Sequence, residues 1–175
     1  MERAVALLRG INVGGHRRVP MADLRALALE AGLFDPETYV ASGNLVFASD
    51  QASADIEGIL ETAIEARFGF SVDVIVRTAS EWTSYIEANP FPEESRAAAK
   101  FVILVVGKQP PDEEAVASLR KSAAAEEKVE ARGDALWIWF GNGAGRSKIG
   151  TGPRRGIWTS RNWRTVLALR EMLKG

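Results

Sequence analysis

With 175 residues, 46% of them hydrophobic and 26% charged, and a formal net charge of −1, the chain suits one ordinary domain or two very small ones. Folding at this length buries roughly 70% of the unfolded surface, so no staple is required. The absence of cysteine excludes disulfides, thiolate metal sites and a cysteine nucleophile, and a lone histidine, His16, excludes multi-histidine metal centres. The near-neutral total conceals an asymmetry. Residues 1–135 hold 14 Lys and Arg against 22 Asp and Glu, a net −8, whereas residues 136–175 hold 8 against 1, a net +7. Four of the five tryptophans, Trp137, Trp139, Trp158 and Trp163, share that basic segment, a composition that favours anionic partners.

In chain order, residues 3–9 form an apolar run bounded by arginines and read as a strand covered on both faces. After a glycine-rich loop, Pro20 sits where a helix begins, and Leu24, Leu27, Ala28 and Ala31 share one helical face that Gly32 ends. Residues 38–49 place two β-rich runs around Gly43-Asn44, the signature of a tight hairpin. Ser53 is expected to cap a helix carrying Ile56, Ile59, Leu60, Ala63 and Ile64, closed by Gly69. Val72, Val74 and Val76 then alternate with polar residues as another strand. The order β-α-β-β-α-β is the split βαβ, or ferredoxin-like, arrangement.

The second half repeats this order imperfectly. Thr78-x-x-Glu81 is a capping box opening a helix through Trp82, Tyr85 and Ile86. Residues 89–100 read as a hinge or a long surface connection. Residues 101–106 form a buried strand, and Pro111 with Asp112, Glu113 and Glu114 opens a helix whose acids suit its N-terminal dipole. Residues 128–132 and 135–140 flank Gly133-Asp134 as a second hairpin. Thr159 or Ser160 is expected to cap a final helix, leaving this half without a clear closing strand. The expectation is an α+β protein of two degenerate ferredoxin-like halves with antiparallel sheets: residues 1–78, a connecting segment 79–100, and residues 101–175 with a basic loop and helix.

Four segments carry chemistry. Residues 10–18 combine Gly14 and Gly15 with Asn12, Arg17 and Arg18, a backbone and cation set suited to phosphate or carboxylate, and His16 is the one acid–base candidate. The spacing fits neither a Walker A loop nor GxGxxG. Residues 141–155 offer five glycines with Arg146, Ser147, Lys148, Arg154 and Arg155, again suited to an oxyanion. Arg161, Asn162 and Arg164 fall where the final helix is expected to open, and cations at that end are what an anion site would produce. Trp137 and Trp139 share one strand face, either as a platform for nucleobases or as buried area between the halves. For each segment the plain alternative is a solvated loop, a cap or core packing.

The elements LLRGINVGG (residues 7–15), Val19-Pro-Met and TYVASGNLVF (38–47), followed by Asn89-Pro-Phe, Gly145-Arg-Ser-Lys and TSRNWRTV (159–166), resemble the DUF1697 family over essentially the whole chain. Arg164 stands where the family pattern has Asn. The resemblance implies a soluble bacterial protein of paired ferredoxin-like subdomains with no assigned activity, and it carries over no catalytic residue. The reading from the residues is that 10–18, 141–155 and 159–164 converge on one anionic site. Its ligand would be a phosphate-bearing small molecule or, alternatively, single-stranded nucleic acid; a structural or partner-binding module is the third reading. The candidate ligand residues are Asn12, Gly14, Gly15, Arg17, Arg146, Ser147, Lys148, Arg154, Arg161 and Asn162, in a cytoplasmic protein with no cofactor, metal or membrane association expected.

Overall fold

A computed structural model describes residues 1–141, 143–150 and 152–175. The strands are β1 (Glu2–Leu8), β2 (Phe34–Thr38), β3 (Asn44–Ser49), β4 (Val74–Thr78), β5 (Val102–Gly107), β6 (Lys128–Arg132), β7 (Ala135–Trp139) and β8 (Trp158–Asn162). The helices are α1 (Met21–Glu30), α2 (Ser53–Phe68), α3 (Ala79–Glu87), α4 (Pro92–Ala98), α5 (Glu113–Ser122) and α6 (Trp163–Leu173). The chain divides into two compact units, one of residues 1–83 with 168–175 and one of residues 84–167. Each contains a four-stranded antiparallel sheet, so the protein is α+β in two halves as the sequence led one to expect.

In the first unit the sheet order is β2-β3-β1-β4. Ala4, Ala6 and Leu8 of β1 pack in one cluster with Leu45 and Phe47 of β3, Leu24 and Leu27 of α1, and Ile56, Leu60 and Ile64 of α2. The alternate residues Val5, Leu7, Val46 and Ile75 are fully buried too, which is why β1 is a continuous apolar run rather than an alternating one. Each large side chain buried in this way contributes about 1.5–3 kcal/mol.

The expected tight hairpin at Gly43-Asn44 is a wider turn. β2 ends at Thr38 and β3 already begins at Asn44, while Val40 in between adopts a left-handed φ of 49° that no strand accommodates. Asn44 closes the turn by donating from Nδ2 to the Tyr39 carbonyl at 2.8 Å. Gly43 accepts from the Leu8 backbone N–H at 2.8 Å, with a φ of 92°. A Cβ placed there would lie 2.8 Å from the Leu8 Cβ, so the turn requires glycine on two counts.

The edge strand β4 is finished by α2. Val74 and Val76 donate their backbone N–H groups to Glu61 at 2.9 Å and Glu57 at 2.8 Å, two carboxylates one helical turn apart. An outward-facing edge is thereby closed to further pairing. Ser53 is the first residue of α2 rather than its cap, since the Ala52 position makes no side-chain cap bond. The Thr78–Glu81 capping box is present in both directions, at 2.8 and 3.2 Å.

The second unit repeats the order as β6-β7-β5-β8. Asp112 caps α5 by accepting from the Ala115 N–H at 2.6 Å, and Gly133-Asp134 joins β6 to β7 as a two-residue hairpin. Two expectations are corrected here. The segment after Asn89 is not a bare connection: residues 92–98 form α4, with Pro92 at its first turn. A closing strand also exists, because Trp158–Asn162 is β8, paired antiparallel with β5, and α6 begins only at Trp163. Position for position, β5, α5, β6, β7 and β8 follow the path of β1, α1, β2, β3 and β4. What differs is the connection into the last strand. The first unit uses the 16-residue helix α2, and the second uses a glycine-rich basic loop with one short 3-10 turn, Ala144–Arg146. Asn142 and Thr151 of that loop lie outside the described residues.

Gly43→Ala should lower stability by about 2–4 kcal/mol, combining backbone strain with overpacking, seen as a fall in urea midpoint at constant m-value. A loss under about 0.5 kcal/mol would contradict the close approach to Leu8. Replacing Glu57 and Glu61 together by Ala should cost about 2–4 kcal/mol and speed amide exchange at Val74 and Val76. Unchanged exchange at those two amides would show that the carboxylates do not cap the edge.

Candidate binding groove

In the second unit, Val105, Leu136 and Ile138 must be kept from water on the face that carries α5. Val116 and Leu119 of α5 cover part of it, and Ile149, 4% exposed, is inserted from the loop as a further plug. Trp158 completes the cover. Its indole N–H donates to the Arg155 carbonyl at 2.7 Å, and its ring lies over Gly107 so closely that a Cβ there would be 2.6 Å from the ring. Gly107 is therefore the residue that lets the indole lie on the end of β5.

A single loop cannot fill the space of a helix, and a groove of about 350 Å³ runs between α5 and residues 148–156. Lys148, Arg154 and Arg155 stand along the loop wall. Asp112, Glu114 and Ser118 stand along the helix wall, with Leu119, Ile149 and Trp158 also lining it. Among the described residues, the side chains of Lys148, Arg154, Arg155 and Glu114 enter no ion pair or hydrogen bond. Three cations and a carboxylate thus face one groove without neutralising each other.

Of the residues expected from sequence to bind a ligand, Lys148 and Arg154 are brought together here. Arg146 is exposed and does not line the groove. Ser147 uses its hydroxyl to accept from the Ile149 N–H at 3.1 Å, which sets the plug. Arg155, Trp158, Glu114 and Ser118 were not among the expected ligand residues. Their signal was available: Arg155 adjoins Arg154, and positions 114, 118 and 122 recur every fourth residue on one face of α5.

Two candidates at the end of the chain take other roles. Arg161 lies in β8 rather than at a helix start and is only 9% exposed. Its guanidinium donates to Thr159 Oγ1 at 2.8 Å and to the Ser160 carbonyl at 2.7 Å. Burial pushes its pKa down to about 10, so it remains charged at neutral pH. Asn162 is the cap of α6, its Oδ1 accepting from the Thr165 N–H at 3.0 Å. Trp137 is fully buried, with its ring centroid 5.7 Å from that of Trp163, and Trp139 is half-buried. The Trp137 indole offers no open face to a nucleobase.

The Gly10–Arg18 segment belongs to the first unit. Its Asn12 amide is used within the fold: Nδ2 donates to the Val19 and Ala41 carbonyls at 3.0 and 2.7 Å, and Oδ1 accepts from the Val19 N–H at 2.8 Å. Arg17 donates to the Ser71 carbonyl and lies 5.5 Å from the Phe70 ring centroid. Asn12 and Arg17 are thus loop anchors rather than free ligand groups. Gly14 and His16 are exposed, with His16 in an isolated bridge to Val13. Asn12, Gly15 and Arg18 line a separate hollow of about 440 Å³ with Pro20 and Ala41. Among the described residues no group of three or more His, Asp or Glu is placed to hold a metal ion, and no helix is long and apolar enough to cross a membrane. Asn162→Ala should cost about 1 kcal/mol through loss of the cap, measured by urea unfolding, and leave the groove intact. A neutral effect would return Asn162 to the list of ligand candidates.

A solved structure of a conserved bacterial protein from Streptococcus pneumoniae is similar over 98% of both chains, with a TM-score of 0.80 and 23% identity, a likeness of fold. No curated protein matches the chain. The family described as "Protein of unknown function (DUF1697)" matches residues 1–137, which include both hairpins and all but the last two residues of β7. The chain belongs to the DUF1697 family.

Proposed function

We propose that the protein binds a phosphate-bearing small molecule in the groove between α5 and residues 148–156. The observation that carries this reading is the trio Lys148, Arg154 and Arg155, which share one concavity and have no acidic partner among the described residues. Cations left unpaired beside an apolar surface are poised for charge-assisted bonds to an oxyanion, which are roughly twice as strong as neutral ones. A volume of about 350 Å³ falls at the small end of ligand pockets, which run from about 300 to 1,000 Å³.

The anionic site is therefore assigned to the second unit alone, with the Gly10–Arg18 segment left out of it. Single-stranded nucleic acid is the weaker alternative, because Trp137 is buried and cannot act as a stacking platform. In this reading both units follow the ferredoxin-like path, the second in degenerate form. The setting is the bacterial cytoplasm, where phosphorylated metabolites are available. The bacterial origin of the structurally similar protein supports that setting.

The test is thermal unfolding at low salt against ribose 5-phosphate, glucose 6-phosphate, pyrophosphate and nucleoside monophosphates. A ligand at ten times its Kd stabilises by about 1.4 kcal/mol, which raises Tm by about 3–5 °C at this chain length. The expected result is such a rise with at least one compound, abolished when Lys148, Arg154 and Arg155 are all changed to Gln and retained in Arg17→Gln. No rise with any compound at 10-millimolar order, about the upper end of useful affinity, would overturn the reading.

A further inference from the structure

The groove has two chemically different walls, and the second wall restricts what the first can hold. On α5, Glu114, Ser118 and Ser122 lie at i, i+4 and i+8, so the helix presents all three along one stripe, and all three line the groove. Ser122 spends its proton on the Ser118 carbonyl at 3.1 Å, leaving its oxygen as an acceptor. The Glu114 carboxylate is exposed and has no partner among the described residues. Asp112 adds a second carboxylate at the start of the helix. This wall accepts hydrogen bonds, whereas the wall of Lys148, Arg154 and Arg155 donates them.

A ligand with an anion at each end, such as a bisphosphate or a phosphorylated carboxylic acid, would set one charge against Glu114 and be repelled. A simple sugar phosphate would satisfy the cationic wall but leave the exposed Pro110 and the half-buried Trp158 ring uncovered. A molecule with a phosphate at one end, a flat apolar body and hydrogen-bond donors at the other satisfies all three surfaces. Resting on the phosphate reading above, we infer that the ligand is a nucleoside monophosphate whose base carries an exocyclic amine. Its phosphate lies on Lys148, Arg154 and Arg155, its base covers Pro110 and Trp158, and its amine donates to Glu114.

The inference separates from its parent in a calorimetric titration of AMP, IMP, ribose 5-phosphate and adenosine against wild-type protein and the Glu114→Ala and Glu114→Gln variants. The exposed Glu114 side chain makes no hydrogen bond or ion pair among the described residues, so both variants should fold, losing at most the ~0.3–1 kcal/mol that an acid contributes in the first turn of a helix. AMP should bind about tenfold more tightly than ribose 5-phosphate or IMP, the worth of one charge-assisted hydrogen bond with base burial. Glu114→Ala should remove that advantage while leaving ribose 5-phosphate unchanged, and Glu114→Gln should restore part of it. Equal affinity for AMP and ribose 5-phosphate, or AMP binding indifferent to Glu114→Ala, would overturn the nucleotide assignment and leave the phosphate reading standing. Binding of none of the phosphorylated probes, or tighter binding of adenosine than of AMP, would overturn both.

Discussion

Val105, Leu136 and Ile138 give the second sheet an apolar face that cannot be left in water, and the means of covering it determines everything that is distinctive about this unit. In the first unit the equivalent face is closed by two helices, whose Leu24, Leu27, Ile56, Leu60 and Ile64 supply a continuous apolar lid. In the second unit α5 is joined by a loop that contributes Ile149, with the Trp158 ring laid on Gly107 at the head of β8. One aliphatic plug and one indole occupy less volume than a helix. The remainder is a groove, and its loop wall carries three cations, Lys148, Arg154 and Arg155. Charge, concavity and fold thus have a common origin in a missing helix.

The same comparison explains how the two units treat their edges. α2 does more than cover the first sheet, since Glu57 and Glu61 also take up the outer N–H groups of β4. Among the described residues no such helix precedes β8. That strand follows the loop directly and passes within one residue into α6, with Asn162 ending the strand and capping the helix. A residue with both duties leaves little room for the sharp boundary signals that mark other elements.

This is why the sequence was legible in some places and opaque in others. The hairpin at Gly133-Asp134, the Thr78–Glu81 box and the Asp112 cap are local devices, and each is written in adjacent residues. β8 has no such device. Thr159 and Ser160 look like helix caps, only part of the strand is apolar, and its pairing partner β5 lies more than fifty residues earlier. The turn at Gly43 failed for a related reason: its geometry is set by Leu8, thirty-five residues away, rather than by the Gly-Asn pair itself. Among the candidate residues, charge and glycine content pointed to the loop that lines the groove with Lys148, Arg154 and Arg155. They could not show that Asn12 and Arg17 spend their hydrogen bonds inside the fold, because Ala41 and Ser71 are brought to them by tertiary structure, whereas Arg161 and Asn162 bond to near neighbours whose roles depend on where β8 ends. Residues of α5 were missed because the helix was read for its apolar face and its dipole, and the opposite stripe was not searched for a ligand.

A phosphate ester held in the groove beside α5 would disturb the amides of both its walls. An amide-resolved NMR titration of the isotopically labelled chain with a nucleoside monophosphate tests this most directly. The expected result is concentration-dependent shifts confined to residues 112–122 and 148–158, with the amides of residues 10–18 unmoved. Shifts at residues 10–18 with none along α5 or the 148–158 segment would contradict it.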